Sequence, residues 1–479
     1  VPKRSRHKST VTARRLAAVC VVAVVLAVSP PETAASDEEA VRGGAAVEMG
    51  YGQLGEDSFL NLRLKLGYTF ELAQIGCDED REPESCQTQL RLAAQAPLRL
   101  RVQDATPSEG TLLRRADWDE PGDYLRVIRT VEYGHPTETL HAKIGELGPV
   151  SLGHGTVVGD FYNVVTVDHY HLGVTGTVNT VYGGFEMLLD DVIAPSVVGG
   201  RAFVHPWSFV DTDSILSRVA VGATVVSDVN APSKLAAADT TSGRTAVDDT
   251  YNPVVTEDQA TGLLGVDLEV TLLDSEHVGV VPYADYVRHT SLGSGLHAGT
   301  FISVRPNESL EFLSKLEYRR VGENYLPDYV GPLYAIERYQ FKGWGLNLPA
   351  PKVRAAASID AGASHGFSGS ITARMHRLFS VTATYADHQG PANQTVRFRA
   401  SARPVETVQL GLFYHKQNFD EFSQVLDLDG ALVVAESRVG IYGPVFALGT
   451  YGRMWRLADN GQYQTIDDWN VGLGASMGF

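Results

Sequence analysis

From Leu60 to Leu72 the even positions read Leu60, Leu62, Leu64, Leu66, Tyr68, Phe70 and Leu72, while the odd ones read Asn61, Arg63, Lys65, Gly67, Thr69 and Glu71. Successive side chains of an extended strand point to opposite faces, so this segment has one apolar and one polar face. Residues 88–103 repeat the pattern, with Leu90, Leu92, Ala94, Ala96, Leu98, Leu100 and Val102 against Gln89, Arg91, Gln95, Arg99 and Arg101. Similar alternation covers 262–273, 294–305, 308–319, 367–375, 378–386, 394–402 and 405–416, with no comparably regular amphipathic helix between them. The longest stretches run to about 13–15 residues, well beyond the ~5–6 typical of soluble sheets and enough to cross a bilayer when tilted. A soluble sandwich also alternates. It does not, however, place Arg, Lys and Glu along a whole strand face opposite a membrane-length apolar one. The pattern predicts an all-β chain, a transmembrane antiparallel up-and-down β-barrel of about 18–22 strands.

The first residues do not share this rhythm. Lys3, Arg4, Arg6, Lys8, Arg14 and Arg15 precede an unbroken apolar run from Leu16 to Val28, which Pro30 and Pro31 end before the small residues Thr33, Ala34 and Ala35. The run has 13 residues, short of the ~20 that a spanning helix needs. This has the form of an export signal over 1–35, cleaved after Ala35, and leaves 36–479 for the barrel.

Tight connections at 274–277, 305–308, 376–377, 403–404 and 442–444 fall on the same side as the C-terminus, which makes them periplasmic turns. The alternate connections, 228–261, 320–332, 387–393, 417–430 and 456–466, are mostly longer and more polar, as outer loops are. Carried to the N-terminus, the parity puts 75–87 in the periplasm and requires a strand before residue 58, which Ala45, Val47, Met49 and Tyr51 supply. Four apolar faces close on Tyr286, Tyr318, Tyr385 and Tyr414 at the outer rim, the arrangement of an aromatic girdle. The last ten residues, NVGLGASMGF, alternate Val471, Leu473, Ala475, Met477 and Phe479 with small or polar residues. This end resembles the terminal strand of Gram-negative outer-membrane β-barrels. Gly474, Met477 and Phe479 match the signal read by the barrel-assembly machinery, and Leu473 stands where that signal prefers a polar residue. The resemblance implies a cell outer-membrane location, with outer-membrane lipid and lipopolysaccharide, the assembly machinery and small solutes as partners.

Composition narrows the chemistry. The formal net charge of −17 becomes −22 once 1–35, with six basic residues and one acidic residue, is removed, which argues against nucleic acid as a partner. Cys is only 3, and the two outside the export signal, Cys77 and Cys86, are expected to form a disulfide in a periplasmic turn. No H-E-x-x-H or phosphate loop occurs, and Ser364 beside His365 in GASHG has no evident acidic partner, so no enzyme and no cofactor are expected. His135, His141, His154, His169 and His171 lie within 37 residues, but their spacing does not compose a metal site, and none is expected. The polar strand faces carry a basic group, Arg63, Lys65, Arg91, Arg99 and Arg101, an acidic group, Asp267, Glu269, Glu311 and Glu317, and Arg397 and Arg399 on a late strand. Opposed in one lumen, they would line a pore and set a transverse field that favours anions weakly. The glycine-rich segment Leu147–Tyr162, with His154 and Asp160, lacks the strand pattern and suits a loop folded into the channel or lying over its mouth. The expected function is a passive, porin-like channel for small polar or anionic solutes. The readings from other classes are an occluded structural or surface-interaction barrel and, third, a barrel hydrolase.

Overall fold

The computed structural model describes residues 43–74, 87–103, 111–119, 121–165, 170–238, 244–248, 252–340, 349–357, 363–390, 393–457 and 462–479. Residues 1–35, Cys77 and Cys86 lie outside them, as do Asp168 and His169. Twenty antiparallel strands follow one another around a closed barrel. They begin with β1 (Gly43–Leu54), β2 (Asp57–Ala73), β3 (Gln87–Gln103), β4 (Ile128–Tyr133), β5 (Leu140–Gly145), β6 (Gly173–Thr180) and β7 (Gly183–Leu189). Next come β8 (Val197–Val204), β9 (Val219–Leu235), β10 (Val255–Val270), β11 (Val278–His289), β12 (Ser294–Asn307), β13 (Leu310–Val321) and β14 (Ser364–Met375). The last are β15 (Phe379–His388), β16 (Gln394–Val405), β17 (Val408–Phe419), β18 (Leu432–Tyr442), β19 (Val445–Leu457) and β20 (Tyr463–Gly478). A two-residue rung, Leu273–Asp274, prolongs β10 along β11.

The strand count falls within the range that the alternation predicts. β20 pairs with β1 from Gly44↔Gly478 to Gln53↔Trp469, and Gly43 and Phe479 exchange both backbone hydrogen bonds at 2.9 Å. Closure leaves no edge strand, which is what lets a sheet sit in lipid with its backbone groups satisfied. The exterior is apolar: Val47, Met49, Leu64, Leu66, Leu264, Val266, Leu316, Ile371, Val471 and Leu473 are all exposed. In water such a belt would be an aggregation surface. Around a closed barrel it is the lipid face.

One end of the barrel carries both Gly43 and Phe479 and the short turns 275–277, 308–309, 376–378, 406–407 and 443–444. That is the periplasmic end. A 14-residue connection at 205–218 is a long exception there. At the outer end the connections include 104–127, 146–172, 236–254 and 322–363. The last corrects the expectation of a loop over 320–332. It is far longer and holds two short helices, Tyr334–Gln340 and Lys352–Ala357. The strands from β4 to β8, of six to eight residues each, also escape the periodicity, because several are rich in glycine and too short to show it.

Hydrophobic cores lie inside the barrel. Leu147, Leu152, Val157, Val158 and Phe161 of the 146–172 connection pack with Tyr325, Tyr329, Val330 and Tyr334 of the 322–363 connection and with the inward residues Leu188, Val226, Leu263 and Val287. A parallel bridge, Val158↔Val330, ties the two connections together. On the other side, Leu333 and Ile336 pack on Leu432, Trp455, Leu457 and Tyr463. The second connection therefore reaches from the β7–β11 side of the lumen to the β18–β20 side.

Candidate permeation path

The first infolded segment, residues 147–162, is shaped at its base by Asn163, which is fully buried. Its side chain accepts from Leu147 N at 2.6 Å and donates to the carbonyls of Gly145 and His171 at 3.0 and 2.8 Å. At the tip, Gly153 has φ +54, and a Cβ there would lie 2.7 Å from Nε of Arg201, so both the backbone and the space call for glycine. Gly153 N donates to Glu186 Oε2 at 2.7 Å. His154 then reaches the wall: Nδ1 lies 2.7 Å from Asp285 Oδ1, Nε2 lies 2.8 Å from Glu269 Oε2, and the ring stacks on Tyr283 at 4.1 Å. Lys315 Nζ donates to the His154 carbonyl at 2.7 Å. Burial disfavours the imidazolium, but hydrogen bonds and charge from Asp285 and Glu269 outweigh it and push the His154 pKa up to about 9. Across the lumen Asp160 is ion-paired with Arg397, and Arg399 Nη1 donates to the Tyr162 hydroxyl at 2.7 Å.

The second segment is fixed by a network on β12 and β13. Glu317 accepts from the Tyr283 hydroxyl at 2.6 Å and pairs with Lys315 at 3.1 Å, with His297 at 3.2 Å and with Arg319. Arg319 forks onto Asp328 at 2.8 and 3.1 Å, and the Tyr325 hydroxyl lies 3.0 Å from His297 Nε2. A bidentate guanidinium–carboxylate pair fixes orientation as well as distance. The helix Tyr334–Gln340 is held by Lys352 to Glu337 at 2.8 Å and by Arg338 to the Asn230 carbonyl at 2.8 Å.

Between these segments and the wall from β10 to β17 runs a single cavity of about 650 Å³. Its lining includes Asp274 and Arg305 beside the periplasmic turns and Ser364, His388 and Asn393 at the outer rim. One space thus borders both ends of the barrel. The chain is an outer-membrane β-barrel.

No family model and no curated protein matches the chain. Among solved structures, OccK11 (OpdR) of Pseudomonas aeruginosa is similar at 11% identity and a TM-score of 0.33, over 91% of this chain and 95% of that one. OccK5 (OpdH) of the same organism is similar at 9% and 0.33, over 91% and 97%. The siderophore receptor PirA of Acinetobacter baumannii is similar at 8% and 0.36, over 92% and 81%. At such values the barrel assignment rests on the closed sheet and its apolar exterior.

His154, Asp160 and Arg397 line the cavity. The basic residues of β2 and β3 do not. Arg63 and Lys65 reach Glu48 at 3.6 and 2.6 Å, Arg91 reaches Glu132 at 3.7 Å, Arg99 reaches Asp117 at 2.7 Å and Arg101 reaches Asp57 at 3.4 Å. Asp117, fully buried, also takes Arg114 and Arg126 at 2.8 and 3.7 Å. In place of a bare basic wall there is a neutralised one. Asp267 pairs with Arg201 at 2.7 Å, and Glu311 pairs with Arg305 and Arg374 at 3.0 and 3.4 Å. The described histidines keep separate partners: His141 with Glu132 at 3.0 Å, His171 with Asp191 at 2.8 Å and His135 with Thr137 at 2.8 Å.

Tyr286, Tyr318 and Tyr385 are exposed, each three residues from the outer end of its strand. Tyr414 is half-buried, and its hydroxyl donates to the Val425 carbonyl in the overlying loop. Gly474 and Met477 oppose Glu48 and Ala45 in the closing pair of strands, and Phe479 makes its last rung. Sequence reasoning missed Tyr325, Asp328, Tyr329 and Tyr334. The available signal was four tyrosines, Tyr325, Tyr329, Tyr334 and Tyr339, in a connection expected to be solvated.

Proposed function

We propose that the barrel is a passive channel for small polar solutes, with residues 147–162 and 325–340 narrowing it. The observation that supports this reading is the cavity bordered by residues of both rims, Asp274 and Arg305 at one and His388 and Asn393 at the other. Apolar packing of both segments against β7–β11 closes that side of the lumen, so solute would pass along the β10–β17 side. His154, Asp160 and Arg397 are proposed to set the local potential there, with Arg399, Glu269, Glu311 and Glu317 fixing them or the wall behind them. Arg63, Lys65, Arg91, Arg99, Arg101 and Asp267 are proposed to stabilise the remaining lumen wall through their ion pairs. The same apolar packing favours a second reading, a barrel occluded by its own loops and serving as a surface structure. Conductance of the purified, folded protein in planar bilayers separates the two. Discrete open steps are expected of the channel, and silence from a heat-modifiable, folded barrel is expected of the occluded one.

A further inference from the structure

Resting on the channel reading, we infer that the path selects uncharged, hydroxyl-rich solutes of polyol or small-carbohydrate character over ions of similar size. The charges along the cavity are already spent on one another. Arg305 is paired with Glu311 at 3.0 Å, Lys315 with Glu317 at 3.1 Å, Arg319 with Asp328 at 2.8 Å, Lys352 with Glu337 at 2.8 Å, and Arg397 with Asp160. Among the described charged residues that line it, only Asp274, at the periplasmic mouth, lacks an ion pair. A paired charge offers a passing ion a dipole in place of a counter-charge, so shedding hydration in the narrow space goes largely uncompensated.

What the wall offers instead is neutral hydrogen bonding. Ser368, Ser370 and Thr372 occupy alternate positions of β14, with hydroxyls spaced by roughly 7 Å, two residues of strand rise. Thr384 stands beside Ser370 on β15, and Thr395 on β16 continues the row above. A hydroxyl both donates and accepts, which suits another hydroxyl in either sense. Among the buried polar atoms in this lining, Thr384 Oγ1 and His388 Nε2 have no hydrogen-bond partner among the described residues. They lie four residues apart on one strand face, and burying such groups unpaired is costly unless a mobile partner visits them. The groups left for a solute on this wall are therefore uncharged and arranged as a ladder.

Swelling rates of proteoliposomes in isosmotic glucose, potassium gluconate and glucosamine hydrochloride test this with solutes of nearly equal size. Glucose is expected to enter at least fivefold faster than either ion. Gluconate or glucosaminium entering as fast as glucose would overturn the inference while leaving the channel reading intact. Failure of all three, and of the smaller arabinose, with folded protein would overturn the channel reading itself. In the Ser370→Ala, Thr384→Val double variant, checked for folding by heat-modifiable mobility, glucose flux is expected to fall several-fold, and by a larger factor than KCl conductance. An equal fall in both would contradict a role for the hydroxyl ladder.

Discussion

Residues 147–162 join an apolar core, Leu147, Leu152, Val157, Val158 and Phe161, to a tip held by charged and hydrogen-bonded contacts, whereas residues 325–340 enter largely on rings and aliphatic side chains. In the first segment Gly153 and Gly155 have positive φ, and the polar contacts with the wall run through Gly153, His154, Asp160 and Tyr162. In the second, Tyr329, Leu333, Tyr334 and Ile336 are almost completely buried, and Arg319–Asp328 is the one strong ionic clamp on β13. Apolar packing carries no titrating group, while hydrogen-bonded charges respond to both pH and ionic screening. The comparison makes the first segment the adjustable side of the path and the second its fixed side.

The largest effect is expected from shortening the first segment. Replacing 149–160 by a short Gly-Ser link should raise single-channel conductance several-fold. Unchanged conductance would place the narrow point elsewhere. Cutting into the second segment should cost stability instead: Ile336→Ala or Tyr334→Ala is expected to weaken its docking by about 2–5 kcal/mol. Hydrogen exchange across 325–340 would register this as lost protection.

A pH series sharpens the contrast. The docked His154 has its pKa raised from the usual 6.5 to about 9, so its charged contacts with Asp285 and Glu269 stabilise the docked state fully below the free value and are lost as pH rises through 9. Noise and subconductance from a loosening first segment should therefore appear between pH 8 and 10 and be absent in His154→Gln, whose traces should look alike at both ends of that range. The smallest effect belongs to Asp160→Asn. Asp160 is nearly half exposed, so its pair with Arg397 should contribute less than about 1 kcal/mol in a double-mutant cycle with Arg397→Gln.

These contrasts track what the sequence could disclose. Leu60–Leu72 reveals β2 because period two is written in adjacent residues, and the closing strand ending in Phe479 is equally local. The glycines of Leu147–Tyr162 mark a segment that cannot be a strand, although whether it folds inward depends on Asp285, 131 residues from His154. Nothing near Arg99 announces that Asp117 will fold back to meet it. The pattern predicts only a polar outer loop over 320–332, because the tyrosines of the 322–363 connection find their neighbours, Leu263, Val287 and Val226, on strands scattered through the chain. Lipid-facing order is periodic and legible, whereas lumen order is made of pairs set by barrel closure.

The most direct test of the central claim, that solute passes along the β10–β17 wall, is chemical block at Ser370. In protein whose native cysteines are replaced by serine, Ser370→Cys would be modified by a bulky, membrane-impermeant thiol reagent during single-channel recording. The account predicts that conductance falls by more than half as the label enters the cavity. Complete modification, verified by mass, with undiminished conductance would contradict it.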